Sequence, residues 1–531
     1  MNLLHPSRTF RFGALLAWLL VFSGTALPQA TPRRSQAESS EHEKKTARAF
    51  EAARTNPLEL RAFLVAMPKG ADLHMHLGGS VYAETLIRVA AEKHLCVDLE
   101  KLTLTGPAIA GSSGSAQPDC AQGQVPAANA LTDQELYDAL VDSFSMRGFV
   151  PTPGVTAHDH FFATFDKFKS VNSLGLGDWL DEVATRAASQ NEQYLEIMRT
   201  PEYPHAAAAA KEIPWSGDFS EMRSQLLARG LRDDLAPDKE FLDAGEASRR
   251  QLEHCGQSDA SPACQVQIRY LCQILRGLPK AHVFAQAVMC FETASSDPRF
   301  VGINLVRPED GYLSMADYAL EMRIIGFLHT LYPKVHIALH AGELAPGLVP
   351  YEGLCCHIRL AVEEAHAERI GHGVDIMYED RPYDLLKEMA AKHVMTEINL
   401  TSNDIILGIR GDEHPLPIYK KFHVPVALST DDEGVSRIDL THEFVRAVET
   451  YGFHYADVKT FARTSLEHSF LPGPSLWSAP DMFTSLAPAC SHDAPGSQSP
   501  SVHCAAFLMV SEKARQQWEL ERRFRIFESK F

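Results

Sequence analysis

The stretch KGADLHMHLGG, residues 69–79, is a short apolar run that carries two histidines and stops at two glycines. Alternate side chains of a β-strand point to the same face, so His74 and His76 would share one side. The chain has 24 histidines among 531 residues, and about one His-x-His triplet is expected by chance at that frequency. A second triplet, His158 and His160, is present. His74 and His76 therefore indicate a metal site only if further ligand residues elsewhere in the chain lie close to them.

The same form recurs along the chain: an apolar run ends in polar residues, and an amphipathic helical pattern follows it. The eight segments are GADLHMHL (70–77), QYLEIMRT (193–200), QIRYLCQIL (267–275), VGINLV (301–306), VHIALHAGE (335–343), RIGHGVD (369–375), MTEINLTSN (395–403) and VPVALSTDD (424–432). Strands that alternate with helices indicate parallel βαβ units, and eight such units predict a closed α/β barrel of the TIM type, (β/α)8. We assign this barrel to residues 69–470.

The N-terminal residues 1–26 have the layout of a secretory signal peptide. Arg8 and Arg11 precede an apolar run, and small residues follow it up to Ala26. The apolar run is short for a membrane span of about 20 residues, which favours cleavage over an uncleaved anchor. We therefore expect an exported protein, periplasmic or secreted, without stable membrane association after cleavage.

The other segments extend the barrel. A polar leader and a helix capped at Asn56 are predicted over residues 27–68, with the leader mobile over 29–45. A Gly-, Ser- and Pro-rich stretch predicts an insertion at about 97–132, after the first strand and its helix. Residues 471–531 are predicted to form loops and a terminal helix near 511–529, with an apolar stripe that docks on the barrel.

Composition limits the class of partner. The chain is 45% hydrophobic and 22% charged, which is typical of a globular protein with a large core. Its formal net charge of -18 argues against nucleic acid or another strongly anionic main partner. A neutral or cationic small molecule fits better, and the sequence leaves open whether the chain forms a homodimer.

Ten cysteines in an exported chain indicate disulfides. Three local pairs flank polar or Gly/Ser/Pro-rich loops, and we predict that they are bonded: Cys96 with Cys120, Cys255 with Cys264, and Cys490 with Cys504. Cys272 and Cys290 lie in apolar contexts and are interpreted as buried thiols. The neighbours Cys355 and Cys356 are left unassigned. No CxxC spacing occurs, so the cysteines do not predict a zinc site.

In a barrel of this type, functional side chains collect at the carboxyl ends of the strands, around one mouth. Besides the pair in the first strand, the candidates at strand ends are His340, His372, Asp431 and Asp432. The triplet of His158 and His160 precedes FFATFDKF, which is predicted to be helical, and residues two apart on a helix do not share a face. We therefore do not assign that triplet to a metal, although its phenylalanines can wall a pocket.

The motifs HMHL, HAGE, GHGVD and STDD, in this order, resemble the adenosine deaminase family of metal-dependent barrel hydrolases. The resemblance runs from about Met67 past Asp432. The signal peptide, the preceding helix, MPKGADLHMH and the insertion are similar to the secreted, growth-factor-related branch of that family.

The resemblance implies one zinc ion per chain. It also implies hydrolytic deamination of adenosine, and of 2′-deoxyadenosine, to the corresponding inosine nucleoside and ammonia. Zinc suits three imidazole nitrogens and one carboxylate oxygen, and it lowers the pKa of water toward about 7. The implied metal ligands are His74, His76, His340 and Asp431. The implied catalytic residues are Glu343, which protonates N1 of the purine, His372, which orients the attacking water or shuttles its proton, and Asp432, which binds the attacking oxygen and purine N7.

The substrate contacts are less regular. Gly78 stands where cytosolic family members commonly carry an acidic residue that meets the ribose, and Arg307 stands at the position of the family's usual purine-contacting glycine. Glu309 is expected to keep a substrate-facing role. Phe161, Phe165 and Ser402 are further candidates for the pocket wall.

Other functions remain open at this point. The nearest is deamination of another aminopurine or a modified nucleoside. A two-metal ester or amide hydrolase would need a bridging carboxylate or lysine on a middle strand, and VGINLV offers no clear candidate. A non-catalytic extracellular protein that binds nucleosides or a receptor is the third alternative, although it would not need the carboxylate of Glu343.

Overall fold

The computed structural model describes residues 32–106 and 120–531. Its centre is a sheet of eight parallel strands: β1 (Gly70–His76), β2 (Glu192–Arg199), β3 (Gln267–Leu275), β4 (Phe300–Val306), β5 (His336–Ala341), β6 (Arg369–His372), β7 (Met395–Ile398) and β8 (Val426–Leu428). Each strand pairs in parallel with the next along the chain. The residues that follow β8 reach β1, where Met75 and Asp431 form a parallel bridge. The predicted (β/α)8 barrel is confirmed.

Helices surround the strands in the order that the alternating pattern predicts. Between β1 and β2 lie Leu77–Ser80, Ala83–Glu92, Gln134–Ser143, Ala157–Phe168 and Leu176–Ser189. The connections from β2 to β8 contain Pro204–Glu212, Phe219–Ala228, Leu235–Leu252, Lys280–Ser296, Tyr312–Leu331, His357–Glu363, Pro382–Lys392, Leu400–Leu407 and Leu416–Lys421. After β8 come Glu433–Ser436, Leu440–Tyr451 and Tyr455–Glu467. Short 3-10 helices occur at Ala127–Leu131, Lys169–Val171, Leu231–Asp234, Pro262–Gln265, Tyr351–Leu354, Ile376–Tyr378, Gly411–Glu413 and Pro488–Cys490.

The N-terminal segment is more ordered than predicted. Where a mobile leader was expected, Pro32–Ala53 is a helix. Its Phe50 is fully buried and packs edge-on against Phe63, with ring centroids 5.3 Å apart. Burial of one aromatic side chain is worth about 1.5–3 kcal/mol, enough to hold an otherwise polar helix against the protein. The next helix, Pro57–Ala66, begins as predicted, with the Asn56 side chain accepting hydrogen bonds from two of its amides.

The connection between β1 and β2 contains the predicted insertion. Three short antiparallel strands, Cys96–Asp98, Thr103–Thr105 and Gln124–Pro126, form its small sheet. Residues 107–119 lie outside the described residues, as does the predicted signal peptide at 1–26. Among the described residues, no helix is both long and apolar enough to cross a membrane.

The C-terminal segment packs against the barrel as predicted. Its last helix, Glu512–Glu528, buries Phe524 and Phe527, and Nε of Arg463, on the barrel helix Tyr455–Glu467, donates to Oε1 of Glu521 at 2.7 Å. An additional helix, Val502–Val510, occupies a stretch that was predicted to begin as a loop.

All ten cysteines are bonded. The three predicted disulfides are present. The interpretation of Cys272 and Cys290 as free thiols was wrong, because they form a fourth disulfide between β3 and the helix Lys280–Ser296. Cys355 and Cys356, which the sequence left unassigned, are bonded to each other.

Candidate metal centre and active site

Four strands deliver the candidate metal ligands to one point at the carboxyl end of the barrel. His74 and His76 belong to β1, His340 to β5 and His372 to β6, and Asp431 follows β8. The backbone fixes this arrangement, because the amide of Asp431 donates to the carbonyl of His74 at 2.8 Å, and the amide of His76 donates to the carbonyl of Asp431 at 3.1 Å.

The side chains converge within the reach of a single ion. Nε2 of His76 lies 3.0 Å from Oδ1 of Asp431 and 3.2 Å from Nε2 of His340. Nε2 of His74 lies 3.7 Å from the same carboxylate oxygen. All of these side chains are buried. The structure thus brings together the four residues that the resemblance implied as ligands.

His372 lies in the same cluster. His74, His340, His372 and Asp431 each offer one ligand atom within 4.8 Å of the others, and His76, Asp431 and Asp432 form an overlapping group. Nε2 of His372 is 3.9 Å from Oδ2 of Asp431, and its Nδ1 is 3.6 Å from Oε1 of Glu343. His372 therefore lies between Asp431 and Glu343, close to both carboxylates.

The remaining bonds of the imidazoles indicate what the cluster is built to hold. Nδ1 of His74 contacts Oε2 of Glu397 at 2.6 Å, and Nδ1 of His340 contacts Oδ1 of Asn304 at 2.6 Å. These partners orient the rings so that Nε2 faces the centre of the cluster. Among the described residues, Nε2 of His74 and Nε2 of His372 have no hydrogen-bond partner.

An unsatisfied buried nitrogen costs about 1–3 kcal/mol, and a divalent cation bound between these rings would remove that cost. Imidazole nitrogens with a carboxylate oxygen suit Zn²⁺, so the residues present fit the metal that the resemblance implied.

The backbone is strained at two residues of the cluster. His372 has φ +69° and Asp431 has φ +62°, in the left-handed region that favours glycine. Such conformations cost about 1–3 kcal/mol and concentrate at functional sites, where the surrounding structure enforces them.

The two glycines after the histidines differ in their surroundings. A Cβ on Gly79 would lie 1.7 Å from Oδ1 of Asp432, so only glycine leaves room for that carboxylate. A Cβ on Gly78 would meet nothing closer than Nδ2 of Asn172 at 3.9 Å. Gly78 therefore borders open space, and a side chain at this position would fit.

Burial dominates the electrostatics of the acidic residues. It raises the pKa of Glu343 well above its usual value, and the nearby Asp431 adds to the shift. It also raises the pKa of Asp432. For Asp431, burial raises the pKa, but His76, His372 and His74 more than offset it, so that the pKa lies below its usual value. Burial lowers the pKa of His372 to about 3.

A cavity of about 720 Å³ opens over the cluster. Its floor includes His76, His340, Glu343, Asp431 and Asp432. Phe161, Phe162 and Phe165 of the helix Ala157–Phe168 form an aromatic wall, and Trp179 and Phe241 add further aromatic lining. A flat apolar ligand with a few polar edges fits a cavity of this size and lining.

The predicted substrate contacts divide into two groups. Gly78, Phe161, Phe165 and Arg307 line the cavity. Arg307 is exposed and has φ +103°, which agrees with its standing at a position suited to glycine. Its carbonyl oxygen accepts a hydrogen bond from Nε of Arg276 at 3.0 Å, which holds the turn.

Glu309 and Ser402 occupy different places from those predicted. Glu309 does not border the cavity: it is 1% exposed, and its two carboxylate oxygens accept hydrogen bonds from the amides of Gly342 and Glu343. Ser402 lies in the helix Leu400–Leu407, and its hydroxyl donates to Oδ2 of Asp431 at 2.6 Å. Both residues therefore bond to other parts of the protein rather than facing the cavity: Glu309 holds the turn of Glu343, and Ser402 holds Asp431.

The second histidine triplet lies outside the cluster, as expected. His158 and His160 belong to the helix Ala157–Phe168. Nε2 of His158 contacts Oδ1 of Asp310 at 3.2 Å, and Nε2 of His160 contacts the carbonyl of Ser145. These bonds attach the helix that carries the aromatic wall to the rest of the barrel.

The supporting residues Glu397, Asn304 and Gln273 were not identified from the sequence. Gln273 donates to Nδ1 of His76. Each of the three is a polar residue inside an apolar strand. This pattern is visible in the sequence and could have identified them as candidate partners of the histidines.

An α/β barrel with a buried cluster of imidazoles and carboxylates at its mouth is the arrangement expected of a metal-dependent barrel hydrolase. The profile of the adenosine deaminase family matches residues 160–476 of the chain. The protein belongs to the adenosine deaminase family.

Individual relatives match at modest identity. An adenosine deaminase of Clostridium perfringens is 34% identical over 168 residues, which are 32% of this chain and 43% of the relative. The chain thus spans less than half the length of this relative. The aminodeoxyfutalosine deaminase of Streptomyces coelicolor is 25% identical over 427 residues, which are 79% of this chain and 84% of the relative. The structure of an Arabidopsis N6-mAMP deaminase superimposes with a TM-score of 0.49 at 19% identity, over 77% of this chain and 96% of that chain.

Proposed function

We propose that the protein is a zinc-dependent aminohydrolase that converts adenosine and 2′-deoxyadenosine to the corresponding inosine nucleoside and ammonia. The observation that carries the proposal is the convergence of buried imidazoles, Asp431 and Glu343 on the floor of one cavity. Membership of the adenosine deaminase family supports the same reaction.

The metal would be held by His74, His76, His340 and Asp431. When bound, zinc supplies a water of lowered pKa at neutral pH. The two buried nitrogens without hydrogen-bond partners among the described residues, Nε2 of His74 and Nε2 of His372, support a cation at this point.

The protein's own groups would divide the proton transfers. Glu343 lies on the cavity floor three residues after His340 and is placed to protonate N1 of a purine. His372, 3.6 Å from Glu343, would orient the attacking water or shuttle its proton. Oδ1 of Asp432 is buried without a hydrogen-bond partner in the described part of the chain and is available to the attacking oxygen and to N7. The aromatic wall would exclude water and stack against the base.

A larger aminopurine nucleoside is the second candidate substrate. The cavity of about 720 Å³ and the open space beside Gly78 leave room beyond a purine ring. The similarity to the aminodeoxyfutalosine deaminase over 79% of this chain favours the same alternative. A non-catalytic role in nucleoside binding is less favoured, since it gives no use to the carboxylate of Glu343.

The test is ammonia release from the zinc-loaded protein, offered a panel of adenosine, 2′-deoxyadenosine, adenine and 6-amino nucleosides with extended sugar ends. We expect release from at least one nucleoside. The variant Glu343→Gln should lose about 10²–10⁴-fold in kcat, the usual contribution of a proton-transferring residue, and keep its zinc. Glu321→Gln is the matched control, because Glu321 is also a buried glutamate but lies on the helix Tyr312–Leu331, outside the cavity lining.

Ammonia from no member of the panel, with one zinc bound per chain, would refute deamination. Two bound metals with esterase activity would instead favour the hydrolase alternative. Loss of zinc in Glu343→Gln would show that Glu343 is a ligand.

We also propose export, to the periplasm or the medium, and a place close to the secreted, growth-factor-related branch of the family. The layout of residues 1–26 and the five disulfides support export, because disulfides persist in oxidising compartments. Mass spectrometry of the exported protein would test it through the position of the new N-terminus.

A further inference from the structure

The turn that carries Glu343 is held by a carboxylate that does not touch the cavity. Oε1 of Glu309 accepts a hydrogen bond from the amide of Gly342 at 3.0 Å, and Oε2 accepts one from the amide of Glu343 at 3.0 Å. A single side chain thus fixes two successive peptide units directly before the Glu343 side chain. Bonds from amides to a charged acceptor are about twice as strong as bonds between neutral groups.

Glu309 is itself held from two sides. Nδ1 of His357 contacts its Oε1 at 2.5 Å, and Nη2 of Arg276 lies 3.5 Å from its Oε2. Burial raises the pKa of Glu309, but Arg276 and His357 more than offset it, so that the pKa lies well below its usual value. The carboxylate is therefore charged at neutral pH and accepts from all of these donors.

His357 has little freedom to move. Its ring stacks on Tyr318 with centroids 3.6 Å apart and an interplanar angle of 2°, and its carbonyl accepts from the Tyr318 hydroxyl at 3.0 Å. It begins the helix His357–Glu363, whose next amide, that of Ile358, donates to Oε1 of Glu379 at 2.7 Å. The bonded pair of Cys355 and Cys356 directly precedes it.

We propose that Glu309 and His357 are positioning residues for Glu343. His357 fixes Glu309, and Glu309 fixes the backbone from which Glu343 reaches the cavity. Neither residue would touch substrate. The inference rests on the proposed role of Glu343. It gives the Glu309–His357 pair a role in turnover although neither residue lines the cavity.

The substitution His357→Phe tests the pair with little change in packing. Phenylalanine keeps a ring against Tyr318 and removes the nitrogen that contacts Glu309. A displacement of about 1 Å at a reacting group can cost about 100-fold in rate, so we expect kcat to fall by about 10–100-fold. KM and bound zinc should change by less than about twofold, since the residues that touch substrate and metal are intact. His357→Asn retains a side-chain N–H donor and should recover most of kcat.

The chain offers a matched control at the other end of the barrel. His336 also stacks on an aromatic ring, that of Phe470 at 4.6 Å, and its Nδ1 also contacts a carboxylate, that of Glu368 at 2.8 Å. His336→Phe therefore removes the same kind of bond far from Glu343. It should leave kcat unchanged.

Amide hydrogen exchange separates this inference from the proposed reaction. Peptides that span residues 340–345 should exchange faster in His357→Phe than in the wild-type protein, in His357→Asn or in His336→Phe, whatever substrate the protein uses. Unchanged exchange of this segment, or wild-type kcat in His357→Phe, would overturn the inference. A wild-type protein that deaminates nothing, together with faster exchange in His357→Phe, would refute the proposed reaction and keep the positioning pair.

Discussion

The two ends of the barrel each hold a cavity lined by histidines, and the histidines of the two cavities differ in their hydrogen-bond partners. The cavity at the carboxyl ends contains the candidate metal cluster. The other, of about 340 Å³, lies at the amino ends of β5 to β7 and is lined by His336, His366, His393 and His468 among others. Histidine content alone would not distinguish them.

Three of the four histidines at the amino end are paired with carboxylates. Nδ1 of His336 contacts Glu368 at 2.8 Å, while His393 and His468 contact the two oxygens of Asp481 at 2.8 and 2.7 Å. At the carboxyl end, by contrast, buried imidazole nitrogens face one another. The candidate metal cluster thus differs in that Nε2 atoms of several imidazoles converge on one point, and two of them, those of His74 and His372, have no hydrogen-bond partner among the described residues.

The largest expected difference between the ends is in metal binding. His74→Ala should reduce zinc affinity by more than about 100-fold, because even the loss of a supporting residue costs about 10–100-fold. His468→Ala should bind zinc as the wild-type protein does. Metal analysis after dialysis against a weak chelator measures both. Equal zinc loss in the two variants would remove the distinction between the two ends.

A smaller effect is expected from the two glycines at the carboxyl end. Gly79→Ala must displace Asp432, whose Oδ1 would lie 1.7 Å from the new Cβ, and should lower kcat by about 100-fold. Gly78→Ala places its methyl group in open space and should change kcat by no more than about twofold. Steady-state kinetics on one nucleoside compares them. Similar kinetics for the two variants would show that Asp432 has no fixed position in turnover.

The smallest effect concerns stability at the amino end. Burial raises the pKa of Asp481, but hydrogen bonds from His468 and His393 more than offset it, so that its pKa in the folded state lies below the usual 3.8. A depressed folded-state pKa stabilises the protein above pH 3.8, and this stabilisation is lost as the pH falls through the folded-state value. Asp481→Asn should therefore lower the free energy of unfolding by about 1 kcal/mol at pH 7.

Thermal unfolding as a function of pH measures this difference, which should shrink as the pH falls below 3.8. A difference that does not depend on pH would mean that the substitution perturbs packing rather than charge. Kinetics should be unchanged by Asp481→Asn at pH 7, in contrast to the substitutions at the carboxyl end.

Much of the barrel and of the candidate cluster follows from the sequence because both depend on local patterns. Strand period, helix period and the order of strand ends are sufficient to place His74, His340 and Asp431 around one mouth. The supports of these residues are not local. Glu397, which holds His74, lies 323 residues further along the chain.

The errors have the same origin. Glu309 was expected to face substrate because the family resemblance implied it, but its carboxylate accepts from backbone amides, and no residue type identifies such bonds in a sequence. Ser402 was expected to contribute to the pocket wall, whereas it lies in the helix Leu400–Leu407 and its hydroxyl donates to Asp431. Cys272 and Cys290 were judged by their apolar surroundings, and a buried disulfide has the same surroundings as a buried thiol.

The closure of the barrel has a consequence for when the candidate metal site is complete. The bridge between Met75 and Asp431 joins the first strand to the residues after the last one, and these same segments carry three of the four implied ligands. A chain still being synthesised has no complete candidate site until residue 431 has arrived and closed the ring. The candidate site and the closed ring therefore form together, and a chain that lacks the residues after β8 cannot assemble the full set of implied ligands.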